Sequence, residues 1–226
     1  MTALLIIFAK EPRPGQVKTR LSPPLSPEEA AQLYHSFLLD ILEEMARVPE
    51  MRLAVGFSPL KAQAFFRGLA PPGMDLFPQE GADLGERMAR AIARGFAAAF
   101  GPVVLRGSDT TDLPAAVVSE AREVLAAGQA QVVLGPCPDG GYYLVGLAEP
   151  QPSLFQGLAW SSRTVLTDTL RLARPLGLRV HLLPAWPDID TYDNLRTFLN
   201  QARPAPQPGW RSRETARRLL GRLSAD

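Results

Sequence analysis

Two hydrophobic patterns alternate along this chain. Ala3 to Ala9 (ALLIIFA) is continuously apolar, as a strand covered on both faces would be; PVVLRG (102–107), QVVLGP (131–136) and YYLVGL (142–147) share that character. RLAVGF (52–57), a weaker run near 74–77 and LRVHLLP (178–184) complete the predicted strands. Between them apolar residues recur at helical spacing: Ala30, Leu33, Phe37, Ile41 and Met45 form one stripe. Leu84, Met88, Ile92, Phe96 and Phe100 form another, in a helix predicted over 83–100. Ser26, Pro27 and Glu29 make a capping box that starts the first helix. Ser58-Pro59 opens a helix to about Leu69, and Pro114 opens one to Ala127. Ser162 is the expected cap of a helix over 163–174, and Thr191 of one over 191–201. This alternation predicts an α/β fold, a three-layer α/β/α sandwich around a mostly parallel sheet. Residues 1–203 read as one domain, PAPQPG (204–209) as a linker, and WRSRETARRLLGRL as a basic amphipathic helix within the tail 204–226. That helix is expected to bury Leu219 and Leu220 and to hold its five Arg outward.

Composition narrows the function. The 226 residues carry 24 Lys+Arg against 23 Asp+Glu, which argues against a general electrostatic grip on nucleic acid or on an anionic membrane. The first apolar run is too short to span a bilayer and lacks a signal peptide's basic start, so the chain reads as cytoplasmic. One cysteine, Cys137, excludes an intramolecular disulfide and a Cys-rich zinc site. Only three of the 24 basic residues are lysines, and two of them, Lys10 and Lys18, share the loop after the first strand.

Four stretches carry candidate chemistry. FAKEPRPGQVKTRL (8–21) combines Gly15 with several cations at a strand end, which suits phosphates, although the residues would also make an ordinary solvated loop. In LRGSDTTDLP (105–114), Asp109 is placed to hold Mg²⁺ or Mn²⁺, whereas Asp112 is expected to cap the next helix. In GPCPDGGYYLVGL (135–147), Asp139 precedes Gly140 and Gly141, either at a ligand or in a plain hairpin turn; Cys137 reads as a packed side chain. In WPDIDTYDNL (186–195), Asp188, Asp190 and Asp193 crowd a helix start. Alternation would point Asp188 and Asp190 the same way, as a second metal-facing carboxylate, and without a cation such a group would repel.

Together with QEGADLGERM (79–88) and LAWSSRTVLTDTL (158–170), these stretches resemble the rSAM/selenodomain-associated transferase 1 family. That family is a branch of the nucleotide-diphospho-sugar transferase superfamily with the GT-A fold, and the resemblance covers about residues 4–200. More distantly the chain is similar to 2-phospholactate and molybdenum-cofactor guanylyltransferases. The resemblance implies that Lys18 and Arg20, with Lys10 behind them, contact nucleotide phosphates. It implies that Asp109 is the metal aspartate and Asp190 a candidate second ligand. Asp83, Leu84 and Gly85 would border the nucleotide, and Asp139 to Tyr142 would face the acceptor. The family usually reads Gly-Ser/Thr-Asp-Cys-Pro-Asp-Leu, whereas Thr110 and Thr111 stand here in place of Cys-Pro.

The leading expectation is a Mg²⁺- or Mn²⁺-dependent transferase that uses a nucleoside diphosphate sugar and a small-molecule acceptor. Asp109 would hold the metal, Gly15, Lys18 and Arg20 would bind the diphosphate, and Asp139 would take the acceptor's proton. The alternatives are nucleotidyl transfer from an NTP, and a non-catalytic partner-binding protein with a vestigial site, for which the basic C-terminal helix is the main support.

Overall fold

The computed structural model describes residues 1–201 and 208–223. Seven strands form one sheet: β1 (Ala3–Lys10), β2 (Met51–Ser58), β3 (Asp75–Pro78), β4 (Val103–Arg106), β5 (Val132–Pro136), β6 (Tyr142–Leu147) and β7 (Val180–Leu182). Their order is β3-β2-β1-β4-β6-β5-β7, and β6 alone runs antiparallel to its neighbours. Among the described residues seven α-helices accompany them: α1 (Pro27–Met45), α2 (Gln63–Leu69), α3 (Leu84–Ala97), α4 (Ala115–Ala126), α5 (Val165–Ala173), α6 (Tyr192–Asn200) and α7 (Trp210–Leu223).

The unbroken apolar run of β1 is explained by two separate cores. Leu5, Ile7 and Ala9 point to one face, where they pack with α1, α2, α4, α6 and α7. Leu4, Ile6 and Phe8 point to the other, against α3, α5 and the short 3₁₀ turn Pro152–Phe155. Each buried large side chain contributes about 2 kcal/mol of transfer free energy, so a polar residue at any of these positions would be costly. Gly95 lets α3 lie close to the sheet, since a Cβ there would stand 2.8 Å from the Leu4 side chain.

The capping boxes at Ser26 and Thr191 form as expected. Other boundaries differ for local reasons. Helix α3 starts one residue late, with Asp83 as its cap accepting from the Glu86 amide at 2.8 Å, and stops at Ala97, so Phe100 lies beyond it. Ser162 does not cap α5; Thr164 holds that position, and the Ser162 hydroxyl accepts from the Thr164 amide. The run 178–184 pairs only over Val180–Leu182, at the sheet edge. Asp112 does not cap α4 either. Pro114 takes that position and Glu44 accepts from the Ala115 amide, while Asp112 accepts from the Trp186 indole at 2.8 Å and lies 3.4 Å from Arg213.

Helix α7 packs on α1 and is fastened there by polar contacts as much as by apolar ones. Asp40, 3% exposed, accepts from the Ser212 amide at 2.8 Å, the Ser212 hydroxyl at 2.6 Å and the Arg211 amide at 3.3 Å. It thus caps from another element the amides that a helix start leaves unpaired. Leu219 is buried and Leu220 partly so, but one arginine turns inward against expectation: Arg213 is buried, donates to the Phe198 carbonyl and stacks 3.9 Å from the Phe198 ring. Thr111 meets Ser212 of α7 at 2.9 Å, and the Thr110 carbonyl and hydroxyl accept from the buried Arg106 at 2.5 and 2.8 Å. The Thr110-Thr111 pair therefore ties the loop after β4 to β4 and to α7. Of the expected linker, 204–207 lie outside the described residues, and Pro208-Gly209 form a turn.

Replacing Asp40 with Ala would strand two backbone amides at the α1–α7 contact and leave the Ser212 hydroxyl with Thr111 as its remaining partner. Urea denaturation of Asp40→Ala is expected to show a loss of about 3 kcal/mol, with Asp40→Asn losing less because one acceptor survives.

Candidate active site at the carboxyl ends of the strands

Open α/β sheets bind ligands beyond the carboxyl ends of their strands, and the charged loops gather there. The loop after β1 returns to the sheet through Val17 and Leu21, both buried, with Lys18 between them in the left-handed region at φ 48°. A non-glycine residue there costs about 1–2 kcal/mol. That backbone turn accompanies an inward-directed side chain, which is 3% exposed.

The Lys18 ammonium donates to Asp109 Oδ1, to Asp190 Oδ1 at 2.7 Å and to the Ile189 carbonyl at 2.9 Å. An ammonium has three donors, and all three are used. The rings of Phe37 and Tyr34 lie 5.2 and 6.0 Å from it. Asp109 follows β4, and its backbone carbonyl accepts from the Ile189 amide at 2.9 Å, which fixes the 187–190 segment against the β4 loop. The cation that a crowd of carboxylates requires is thus a lysine of the first loop.

The charges are strongly coupled. Burial works against a charged Lys18, but Asp109 and Asp190 outweigh it and push the ammonium's pKa up. Burial would likewise raise the Asp109 carboxyl, yet the charge and hydrogen bond of Lys18 hold it below the usual range. Asp188 has no such partner: burial first, then Asp109 and Asp190, raise it to about 7. Instead of facing Lys18 alongside Asp190, its carboxylate accepts from the Cys137 thiol at 3.4 Å. The two carboxylates thus take different hydrogen-bond partners.

Cys137 is buried, and burial followed by Asp188 pushes its thiol up, so it packs as a neutral side chain. Cys137, Asp139 and Asp188 bring their ligand atoms within 4.8 Å of one another. Residues 137–141 form the hairpin turn between β5 and β6, in which the exposed Asp139 accepts from the Gly141 amide at 3.0 Å. Gly140 has φ 94°, and a Cβ there would fall 2.0 Å from the Arg163 carbonyl, so the turn is pressed against the segment before α5. Nearer the start of the same connection, a Cβ on Gly85 would meet the Phe155 carbonyl and the Trp160 indole at 2.5 Å.

Of the residues singled out from sequence, the structure joins Lys18, Asp109 and Asp190 directly. Asp188 and Asp139 stand beside them, linked through Cys137. Lys10 is exposed, its charge acts on Asp109, and its amide donates to the Tyr34 hydroxyl at 3.1 Å. Arg20 and Gly15 are exposed on the same loop, Asp83 and Leu84 are exposed at the start of α3, and Tyr142 stacks edge-on with Trp160. Sequence reasoning missed Tyr34, whose hydroxyl meets Ser108 at 2.6 Å, and the Ile189 carbonyl. It also missed Arg106, fully buried at the end of β4, whose pKa falls to about 10 through burial. An arginine inside an otherwise apolar strand was the available signal for the last.

The chemistry of the donor set suits a hard divalent cation, since two carboxylate oxygens and a carbonyl oxygen converge on one cationic point. The Cys137 group suits one less well, because a neutral thiol is a poor ligand. Among the described residues no helix is long and apolar enough to cross a membrane.

Comparison with known proteins agrees with the architecture. A provisionally named nucleotide-diphospho-sugar transferase of Desulfovibrio desulfuricans G20 is 33% identical; the match covers 99% of this chain and 96% of that one, with a TM-score of 0.88. The Rv0371c protein of Mycobacterium tuberculosis H37Rv shares the fold at 18% identity and a TM-score of 0.54, covering 89% of this chain and all of that one. It is also known as a manganese complex, matched at 17% identity, with the same coverage and a TM-score of 0.50. A CMP:2-keto-3-deoxy-manno-octonic acid synthetase complexed with CTP shares it at 10% identity and 0.53, covering 88% of this chain and 97% of that one. No curated protein matches the sequence. The fold is that of nucleotide-diphospho-sugar transferases and cytidylyltransferases. With residues 41–162 matching its model, more than half of the chain, this protein belongs to the bacterial family described as uncharacterized protein conserved in bacteria, DUF2064.

Proposed function

We propose that this DUF2064 protein is a Mg²⁺- or Mn²⁺-dependent transferase of the rSAM/selenodomain-associated type, acting on a nucleoside diphosphate sugar and a small-molecule acceptor. The observation that carries the reading is the convergence of Asp109, Asp190 and the Ile189 carbonyl on one cationic point beside the basic first loop. The 33% identity with a chain named for that chemistry and the manganese complex of a more distant neighbour support it. When bound there, a divalent ion supplies charge neutralisation of the diphosphate leaving group.

The chain's own residues do the rest. Lys10, Lys18 and Arg20 bind phosphate oxygens, and Gly15 leaves room, since nothing lies within 4 Å of where its Cβ would be. Asp83, Leu84 and Gly85 border the nucleotide. The acceptor lies over Gly140, Gly141 and Tyr142. Its hydroxyl oxygen bonds to the anomeric carbon as the bond from that carbon to the diphosphate oxygen breaks; the electron pair leaves with the diphosphate, and the proton passes to Asp139.

Nucleotidyl transfer is the second reading, favoured by the fold shared with the CTP-bound synthetase. In it the acceptor oxygen bonds to the α-phosphorus while the bond from that phosphorus to the bridging oxygen breaks and pyrophosphate leaves, whereas glycosyl transfer breaks a carbon–oxygen bond and no bond to phosphorus.

Thermal denaturation against panels of nucleoside diphosphate sugars and NTPs, each with Mn²⁺, separates these readings. A donor sugar at 100 times its Kd is expected to stabilise the protein by about 2.7 kcal/mol, roughly 5–10 °C. Asp109→Asn should abolish that increment whatever its own melting temperature. Stabilisation by NTPs alone selects nucleotidyl transfer, and none by either class selects the non-catalytic reading. With the donor identified, Asp139→Asn is expected to lower kcat by 10²- to 10⁴-fold with little change in KM; an unchanged kcat removes Asp139 as the base.

A further inference from the structure

The proposed roles of Lys18 and Asp109 conflict in the observed geometry. Lys18 cannot bind a phosphate while its three donors are spent on Asp109, Asp190 and the Ile189 carbonyl. Nor can a divalent ion enter those oxygens while an ammonium sits among them, because like charges so close repel strongly in a partly buried site. We propose that Lys18 is a tethered place-holder: its ammonium fills the cation site until a divalent ion displaces it, and the displaced ammonium then becomes a counter-charge for the phosphates. This deepens the reading of the site as metal- and diphosphate-binding and rests on it.

Three features favour an exchange over a fixed structural ion pair. The two carboxylates are not sealed in: the Asp109 and Asp190 side chains are 45% and 36% exposed, although the Lys18 side chain is 3% exposed. An ion arriving from solvent therefore reaches the oxygens from the open side. Lys18 itself holds a left-handed backbone, a strained conformation that persists only while its surroundings enforce it. The adjoining residues 14–16 are exposed, while Val17 and Leu21 remain anchored, so the side chain can swing without unseating the loop.

The exchange answers a physical need. Two carboxylates facing each other without a cation would be unstable in the empty protein, and a bound divalent ion makes an extra ammonium in the same oxygens superfluous. The lysine that neutralises the empty site is then released at the moment a diphosphate requires it. Metal and phosphate binding would in this way be coupled through one side chain.

The scarcity of lysine makes the test direct. Trace acetylation of the wild-type protein with acetic anhydride, read by peptide mass spectrometry, compares Lys18 with Lys61, which is exposed. With Mn²⁺ alone, and its occupancy followed by electron paramagnetic resonance, Lys18 labelling relative to Lys61 is expected to rise at least tenfold. One bound Mn²⁺ with Lys18 still protected overturns the exchange and leaves the metal reading standing. No bound Mn²⁺ at millimolar concentration overturns both. As an independent arm, Lys18→Met should bind Mn²⁺ at least tenfold more tightly than wild type; equal or weaker binding contradicts the proposal.

Discussion

The buried ammonium of Lys18 is the interaction around which the functional edge of this protein is arranged. A lone buried cation is worth several kcal/mol of lost hydration, which only close and complete pairing offsets. Here the pairing is complete, with two carboxylates and a carbonyl taking all three donors. The three acceptors come from the loop after β4 and from the segment before α6. Lys18 therefore draws together three parts of the chain separated by about 90 and 170 positions. The lowered Asp109 follows from it, whereas Asp188, which does not pair with the ammonium, is raised first by burial and then by the charges of Asp109 and Asp190.

The loop after β4 is held from behind as carefully as from the front. Arg106 binds Thr110, Thr111 meets Ser212, and Asp112 receives Trp186 and Arg213. Helix α7 is thus part of the support for the aspartate loop, with Asp40 as its N-terminal cap. The Thr110-Thr111 pair has a physical role in this setting. Two hydroxyls there give hydrogen-bonding partners to a buried arginine and to a serine of the last helix.

Much of this was legible in the sequence where the information is local. The unbroken run ALLIIFA announced a strand covered on both faces, and Ser26 and Thr191 with their partners three residues on announced helix starts. The stretches 8–21 and 105–114 were legible as charged loops following strands, and 186–195 as a crowd of carboxylates at a helix start. What they would do to one another was not. Spacing cannot show that Lys18 reaches Asp109, because that contact depends on a left-handed turn and on the register of β1 against β4. Asp112 looked like a helix cap because it stands two residues before Pro114, but a partly buried indole and a buried guanidinium compete for it more strongly. Arg213 sat in a helix whose arginines were expected to face water; only the packing of α7 against α6 and the β4 loop turns it inward. The near-neutral total charge likewise averaged over a cationic loop and acidic loops that meet at one edge.

The central claim is that the oxygens of Asp109, Asp190 and Ile189 form one cation site shared in turn by Lys18 and a divalent ion. A crystal of the protein soaked in Mn²⁺, with anomalous diffraction collected at the manganese edge, tests it most directly. The account predicts a single anomalous peak bonded to Asp109 and Asp190, with the Lys18 side chain moved out of those oxygens. A peak seated instead among Cys137, Asp139 and Asp188, with Lys18 still bridging the two aspartates, would contradict it.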